Sequence, residues 1–137
     1  MGKTEELIKE ISNTINPGLR RNETVSQIEK VFRKHGFYTT REYPIFKMKD
    51  DSGRSGRIDL IARKGKFRVA LEYDHHKLIK WKSFQKIMQI KPEIAIAITG
   101  GGYLKPNLER AIKYKSKLQS PLYVVSLKER KHIELSN

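Results

Sequence analysis

Apolar positions repeat at helical spacing over the first third of the chain and then switch to strand spacing. Leu7, Ile8, Ile11 and Ile15 recur every three or four residues across 4–15 with charges between them, and Asn16-Pro17-Gly18 stops that helix. A second helix is predicted to start after Asn22 or Thr24, with Val25, Ile28 and Phe32 as its apolar stripe and Gly36 as its end. Residues 37–46 read as a strand, since Tyr38, Thr39 and Thr40 favour extended backbone, and Pro44 puts the strand at a sheet edge. A polar loop over 47–56 follows. Residues 57–63 and 67–73 then alternate like strands around Arg63-Lys64-Gly65-Lys66, a tight-turn signal, and so predict a hairpin. Residues 78–90 predict a helix burying Leu78, Trp81, Phe84 and Met88, and Ile94-Ala95-Ile96-Ala97-Ile98 suits a central strand covered on both sides. Gly100-Gly101-Gly102 ends that strand, a helix over 106–118 and a strand over 122–127 close the domain, and the charged tail is read as weakly structured. This order implies an α/β fold, a mixed sheet flanked by helices.

The hairpin carries the chemistry. Asp59 lies in the apolar run Ile58-Asp59-Leu60-Ile61-Ala62, and Glu72-Tyr73-Asp74 follows thirteen residues later at the end of the second run. A turn centred near Gly65 sets residue 59 opposite, or one place diagonal to, residue 72. Because strand side chains alternate, Glu72 and Asp74 share a face, so three acidic oxygen donors are expected to converge at one hairpin end. That is a divalent-metal site in outline.

Composition narrows the setting. With 137 residues one domain is expected over 1–137, divided into an N-terminal helix (1–18), a core (22–99) and a helix-strand extension (100–137). The 29 Lys and Arg against 15 Asp and Glu give a net charge of +14, which calls for a polyanionic partner, nucleic acid ahead of an anionic membrane. No apolar run approaches the roughly 20 residues of a membrane span, and residues 1–16 lack a signal-peptide block, so a soluble, cytoplasmic protein is expected. The absence of cysteine excludes disulfides, thiol catalysis and Cys-ligated zinc. The neighbours His75 and His76 cannot both face one ion in regular backbone, and a role for either as phosphate ligand or general base is a minority reading. The glycine triplet lacks the Lys-Ser/Thr ending of a P-loop and reads as a plain turn.

Taken in order, these residues resemble the PD-(D/E)XK nuclease superfamily, whose restriction-endonuclease-like core runs helix, three-strand meander, helix, strand. The match covers roughly residues 22–99 and is nearest to archaeal Holliday-junction resolvases, in which a segment like Lys34-His35-Gly36-Phe37 precedes the first strand. In that family an Ile/Val-Asp-Leu segment carries the first catalytic Asp, matched by Asp59, and Glu-x-Lys follows, of which Glu72 matches the Glu. Asp74 stands where the family has Lys. The resemblance implies a Mg²⁺- or Mn²⁺-dependent endonuclease acting on DNA ahead of RNA, structure-specific and, by analogy with resolvases, a homodimer. It places the metal on Asp59, Glu72 and the main-chain carbonyl of Tyr73, with Asp74 on a second ion or acting as a base. A migrated basic residue is sought in Lys82 or Lys86, or in Lys77 or Lys80, and Gln85 is a candidate to position water or phosphate. A helix carboxylate commonly completes such sites, and Glu29, about 80° around the helix from the apolar stripe, and Glu23, nearly opposite it, are both candidates.

Arg54 and Arg57 flank glycines beside the site and are candidate phosphate contacts. Lys77 and Lys80 join them as nucleic-acid-binding candidates. Other readings stand beside these. Asp59 could be a strand carboxylate paired with an Arg, Trp81 and Phe84 read as core, and Asp74 in place of Lys is also what a catalytically degenerate, nucleic-acid-binding relative would carry.

Overall fold

The run Val69-Ala70-Leu71-Glu72-Tyr73-Asp74 sends large side chains to one face of its strand and small or acidic ones to the other. The following strand repeats the pattern with Ile94, Ile96 and Ile98 against Ala95 and Ala97. The whole fold is arranged around this asymmetry. The computed structural model describes residues 2–16, 20–49 and 55–136.

Two helices, α1 (Gly2–Thr14) and α2 (Arg21–Lys34), precede a meander of β1 (Tyr38–Lys49), β2 (Ser55–Lys64) and β3 (Phe67–Asp74). Then come α3 (Trp81–Gln89), β4 (Ile94–Thr99), α4 (Leu104–Ile112), a 3₁₀ turn at Lys115–Lys117, β5 (Leu122–Ser126) and β6 (Lys131–Leu135). The six strands form one mixed sheet in sequence order, antiparallel across β1, β2 and β3, parallel across β3, β4 and β5, and antiparallel again to β6. The α/β fold with a mixed sheet flanked by helices is thus established. The β2–β3 turn has two residues, Lys64 pairing with Phe67, and Gly65 takes φ +61°, a left-handed conformation that glycine adopts without a Cβ penalty.

One sheet face packs Leu60, Leu71, Ile96, Ile98 and Val125 against Ile8, Ile11, Ile28 and Phe32 of α1 and α2. The other packs Ala70, Ala95, Ala97 and Val124 against Phe84 and Ile87 of α3 and Ala111 of α4. Ile96 is fully buried, and truncating it to Ala would cost about 2–5 kcal/mol in transfer energy and cavity. The alanines opposite α3 are short, so that helix can lie close to the sheet. This brings its polar residues within reach of the carboxylates at the end of β3.

Several sequence expectations are corrected. The tail is not weakly structured, because residues 131–135 form β6, an edge strand whose largely exposed side chains gave little apolar pattern to read. α3 starts at Trp81 and buries Ser83, Phe84 and Ile87, while Leu78 and Trp81 are exposed. α4 ends at Ile112 rather than continuing to 118, and α2 begins at Arg21, ahead of either expected start. β1 runs on to Lys49, with a register irregularity between Ile45 and Lys49.

Candidate active site

Antiparallel pairing fixes Leu60 opposite Leu71, and extending that register by one step sets Asp59 opposite Glu72. There the ladder changes character. The Asp59 N–H donates to Glu72 Oε2 at 2.7 Å, and the Tyr73 N–H donates to Asp59 Oδ2 at 2.8 Å. Each carboxylate is therefore anchored through one oxygen to the other strand's backbone, and both are almost fully buried. Their remaining oxygens face cations. Asp59 Oδ1 pairs with Arg21 Nη2 at the start of α2, and Glu72 Oε1 lies 3.5 Å from Lys86 Nζ on α3.

Burial, followed by the neighbouring Asp59 charge, pushes the Glu72 carboxyl up to about 8, while Lys86 and the Asp59 N–H pull it down. Burial and the neighbouring negative charge therefore both favour the neutral form of Glu72, and Lys86 opposes them. Arg21 feels burial as the largest single influence, a penalty on its charge, yet Asp59 together with Glu42 and Glu72 outweighs it and raises the guanidinium above its ordinary value.

Asp74 does something different from its two companions. Its Oδ2 accepts from Ser83 Oγ at 2.8 Å and from the Lys80 N–H at 3.4 Å, which ties the end of β3 to the first turn of α3. Asp74 thus anchors the helix that carries Lys86 back toward Glu72. The loop between them is held from the other side. A Cβ at Gly102 would fall 1.9 Å from the Lys77 carbonyl, so only glycine lets the loop after β4 pack on residues 75–77.

Glu72, Asp74, Arg21, Lys80, Lys82 and Lys86 line a cleft of about 360 Å³, together with Tyr73, Ser83, His75 and His76. The buried Tyr73 hydroxyl lies 2.7 Å from His75 Nδ1. Other candidates lie elsewhere. Glu29 is engaged by Arg33 at 3.1 Å and Thr39 at 2.6 Å, Glu23 lines a separate surface hollow with Lys30, and Gln85 faces another hollow between α3 and Tyr114. Lys77 is exposed and touches the fold through its carbonyl, which accepts from Asn107. Arg57 is exposed on β2, and Arg54 lies outside the described residues. Arg21 and Ser83 were not singled out from the sequence. An Arg pairing with Asp59 was foreseen as an alternative, but nothing local identified which Arg, since 38 residues separate the two.

Among the described residues no group of three or more His, Asp or Glu side chains is arranged to hold a metal ion. Asp59 and Glu72 meet across the ladder, while Asp74, on the same cleft as Glu72, accepts at its Oδ2 from Ser83 and the Lys80 N–H. The Asp59 and Glu72 pair fits a hard ion in a limited sense. Mg²⁺ is commonly held by one or two carboxylates and completed by water and phosphate, and the outward oxygens of Asp59 and Glu72 both already face positive charge. An ion drawn to Asp59 Oδ1 would compete with the Arg21 guanidinium for that oxygen.

No protein-family model matches the chain, and no curated protein matches it significantly. Among solved structures it is similar to the crystal structure of a protein of unknown function, AF1548, with 13% identity and a TM-score of 0.44. The match covers 74% of this chain and 54% of that one, so this chain spans about half of that protein's length. No helix among the described residues is long and apolar enough to cross a membrane.

Proposed function

We propose that this protein is a metal-dependent endonuclease of the PD-(D/E)XK type that hydrolyses phosphodiester bonds in DNA with Mg²⁺ or Mn²⁺. The observation that carries this reading is the placement of Lys86. It brings an ammonium group from α3 to Glu72, beside Asp59, in a cationic cleft, and so supplies from the helix the charge that Asp74 cannot.

Arg21, Lys80 and Lys82 would receive the phosphate by charge and hydrogen bonding. Asp59 and Glu72 would hold the ion, each keeping one carboxylate oxygen fixed to a backbone N–H group. The ion, when bound, supplies Lewis acidity at the phosphate and lowers the pKa of water. Lys86 would orient the attacking water by donating from Nζ, and Asp74 would keep α3 seated through Ser83.

The Arg21–Asp59 pair favours a second reading. A guanidinium standing where an ion is needed also suits a nuclease-fold protein that binds DNA without cutting it. A gel assay on duplex, single-stranded and four-way-junction DNA in Mg²⁺, Mn²⁺ or EDTA separates the two. Metal-dependent cutting that disappears in Asp59→Ala supports the nuclease, with the preferred substrate testing junction specificity, and salt-sensitive binding without cutting in either metal supports the binding module.

A further inference from the structure

Residues 75–92 contain five lysines and no acidic residue, in the loop and helix that form one wall of the cleft. In the middle of this stretch stands Trp81, an indole 36% exposed although a tryptophan at a helix start would ordinarily be buried against the sheet. Its ring is surrounded by charge and aromatic surface. The Arg110 guanidinium lies 4.6 Å and Lys113 Nζ 5.2 Å from the ring, and Tyr114 is tilted against it at 5.7 Å. Trp81 is flanked in the chain by residues of one concavity and its ring meets a residue of another. Its chain neighbours Lys80 and Lys82 line the cleft at Glu72, while Tyr114 lines a hollow of about 540 Å³ that also takes in Gln85, Gln89, Lys91 and Lys117.

From this we infer that the α3–α4 surface is a track for unpaired DNA, with one base stacked at Trp81 and the backbone running between the cleft and the Tyr114 hollow. Charge selects the partner. The lining of the hollow contains lysines and glutamines but no acid, which suits a sugar-phosphate backbone and repels a basic protein face. The aromatic selects the form of the strand. Bases inside a duplex are stacked on each other, whereas an unpaired strand offers free ring faces to an indole and to an arginine plane. The inference rests on the nuclease-site reading only for the polarity of the track. It gives that reading a substrate class, DNA with single-stranded character next to the phosphate in the cleft.

Trp81 is the chain's one tryptophan, so its fluorescence reports this contact directly. In EDTA, where no cutting interferes, oligo(dT) is expected to quench Trp81 and a blunt duplex of equal length is not. With labelled oligonucleotides, Trp81→Ala should weaken single-strand binding about 5- to 100-fold and Trp81→Phe should restore most of it, while duplex affinity changes by less than about twofold because it rests on charge. Circular dichroism establishes that both variants are folded. The inference is overturned if oligo(dT) binds without quenching, if Trp81→Ala weakens duplex and single strand alike, or if single-stranded RNA is bound and quenches while oligo(dT) does neither. Failure of the nuclease reading would leave every one of these outcomes unchanged, since none requires cleavage.

Discussion

Glu10 and Glu72 each lie beside a lysine, yet their protons behave in opposite ways. Glu10 sits on α1 at the rim of the fold, 2.9 Å from His35 and 3.1 Å from Lys34, and the hydrogen bond from His35 above all holds its carboxyl below the ordinary value. Glu72 is 3.5 Å from Lys86, but burial and the Asp59 charge push it up to about 8. A nearby cation does not decide the protonation state by itself. What decides it is whether water can also reach the carboxylate and whether a second negative charge shares the space. The first arrangement is a surface ion cluster, and the second is a position that invites a further cation.

The strongest test removes the charge at the buried end. On the proposed nuclease reading, Glu72→Gln is expected to lower metal-dependent cleavage by about 10³-fold or more, because one of the two carboxylates proposed to hold the ion is gone. The same change should alter stability in a defined direction. The raised folded-state pKa of Glu72 contributes stability that is fully present below its ordinary value of 4.5 and is lost as pH rises through about 8. Glu72→Gln should therefore be more stable than the parent at pH 8 in EDTA and no more stable at pH 4. Thermal melts at the two pH values measure this, and equal differences at both would remove the buried-acid account.

Lys86→Ala comes next, with cleavage reduced roughly 10²-fold and the Glu72 titration moved upward, since Lys86 is one of the groups that pulls it down. Carboxyl ¹³C NMR follows that proton directly. A drop in activity with no movement of the Glu72 titration would mean that Lys86 acts on the substrate alone. Arg21→Ala should tighten Mn²⁺ binding, by about tenfold, if guanidinium and ion compete for Asp59 Oδ1, as read by calorimetry. Unchanged or weaker Mn²⁺ binding would show that Arg21 is not in the ion's place.

Glu10→Gln is the smallest change. Its lowered pKa contributes stability present above 4.5 and lost in acid, the reverse window to Glu72, and an exposed pair of this kind contributes about 1 kcal/mol or less. Melts should show a slight loss at pH 7 that vanishes near pH 3. A loss larger than that of a buried core truncation would upset the contrast between the two glutamates.

The elements with strong periodicity were legible in the chain. The stripes Leu7, Ile8, Ile11, Ile15 and Val25, Ile28, Phe32 are buried, β4 is buried along its whole length, and Gly65 makes the two-residue turn that pairs β2 with β3. β6 and the true face of α3 were not legible. β6 is an edge strand with few apolar positions, and the helix rotates to bury Ser83 on Asp74, which a hydrophobic pattern does not register. Trp81 and Phe84 look alike in sequence, but only Phe84 is core.

At the site the division is sharper. Strand period and the turn signal, both local quantities, were enough to bring residue 59 opposite, or one place diagonal to, residue 72, and the two-residue turn then fixes them opposite. The partners that set the chemistry come from elsewhere. Arg21 arrives from α2, Lys86 and Ser83 from α3, and the burial that raises Glu72 comes from the packing of α3 on the sheet. The sequence by itself determined that Asp59 and Glu72 come together across the hairpin, since that depends on hydrogen-bond register between neighbours in the chain, but it did not separate Asp74 from them. Only the tertiary structure decided which cations meet them and how much water remains, because those depend on where separate helices come to rest.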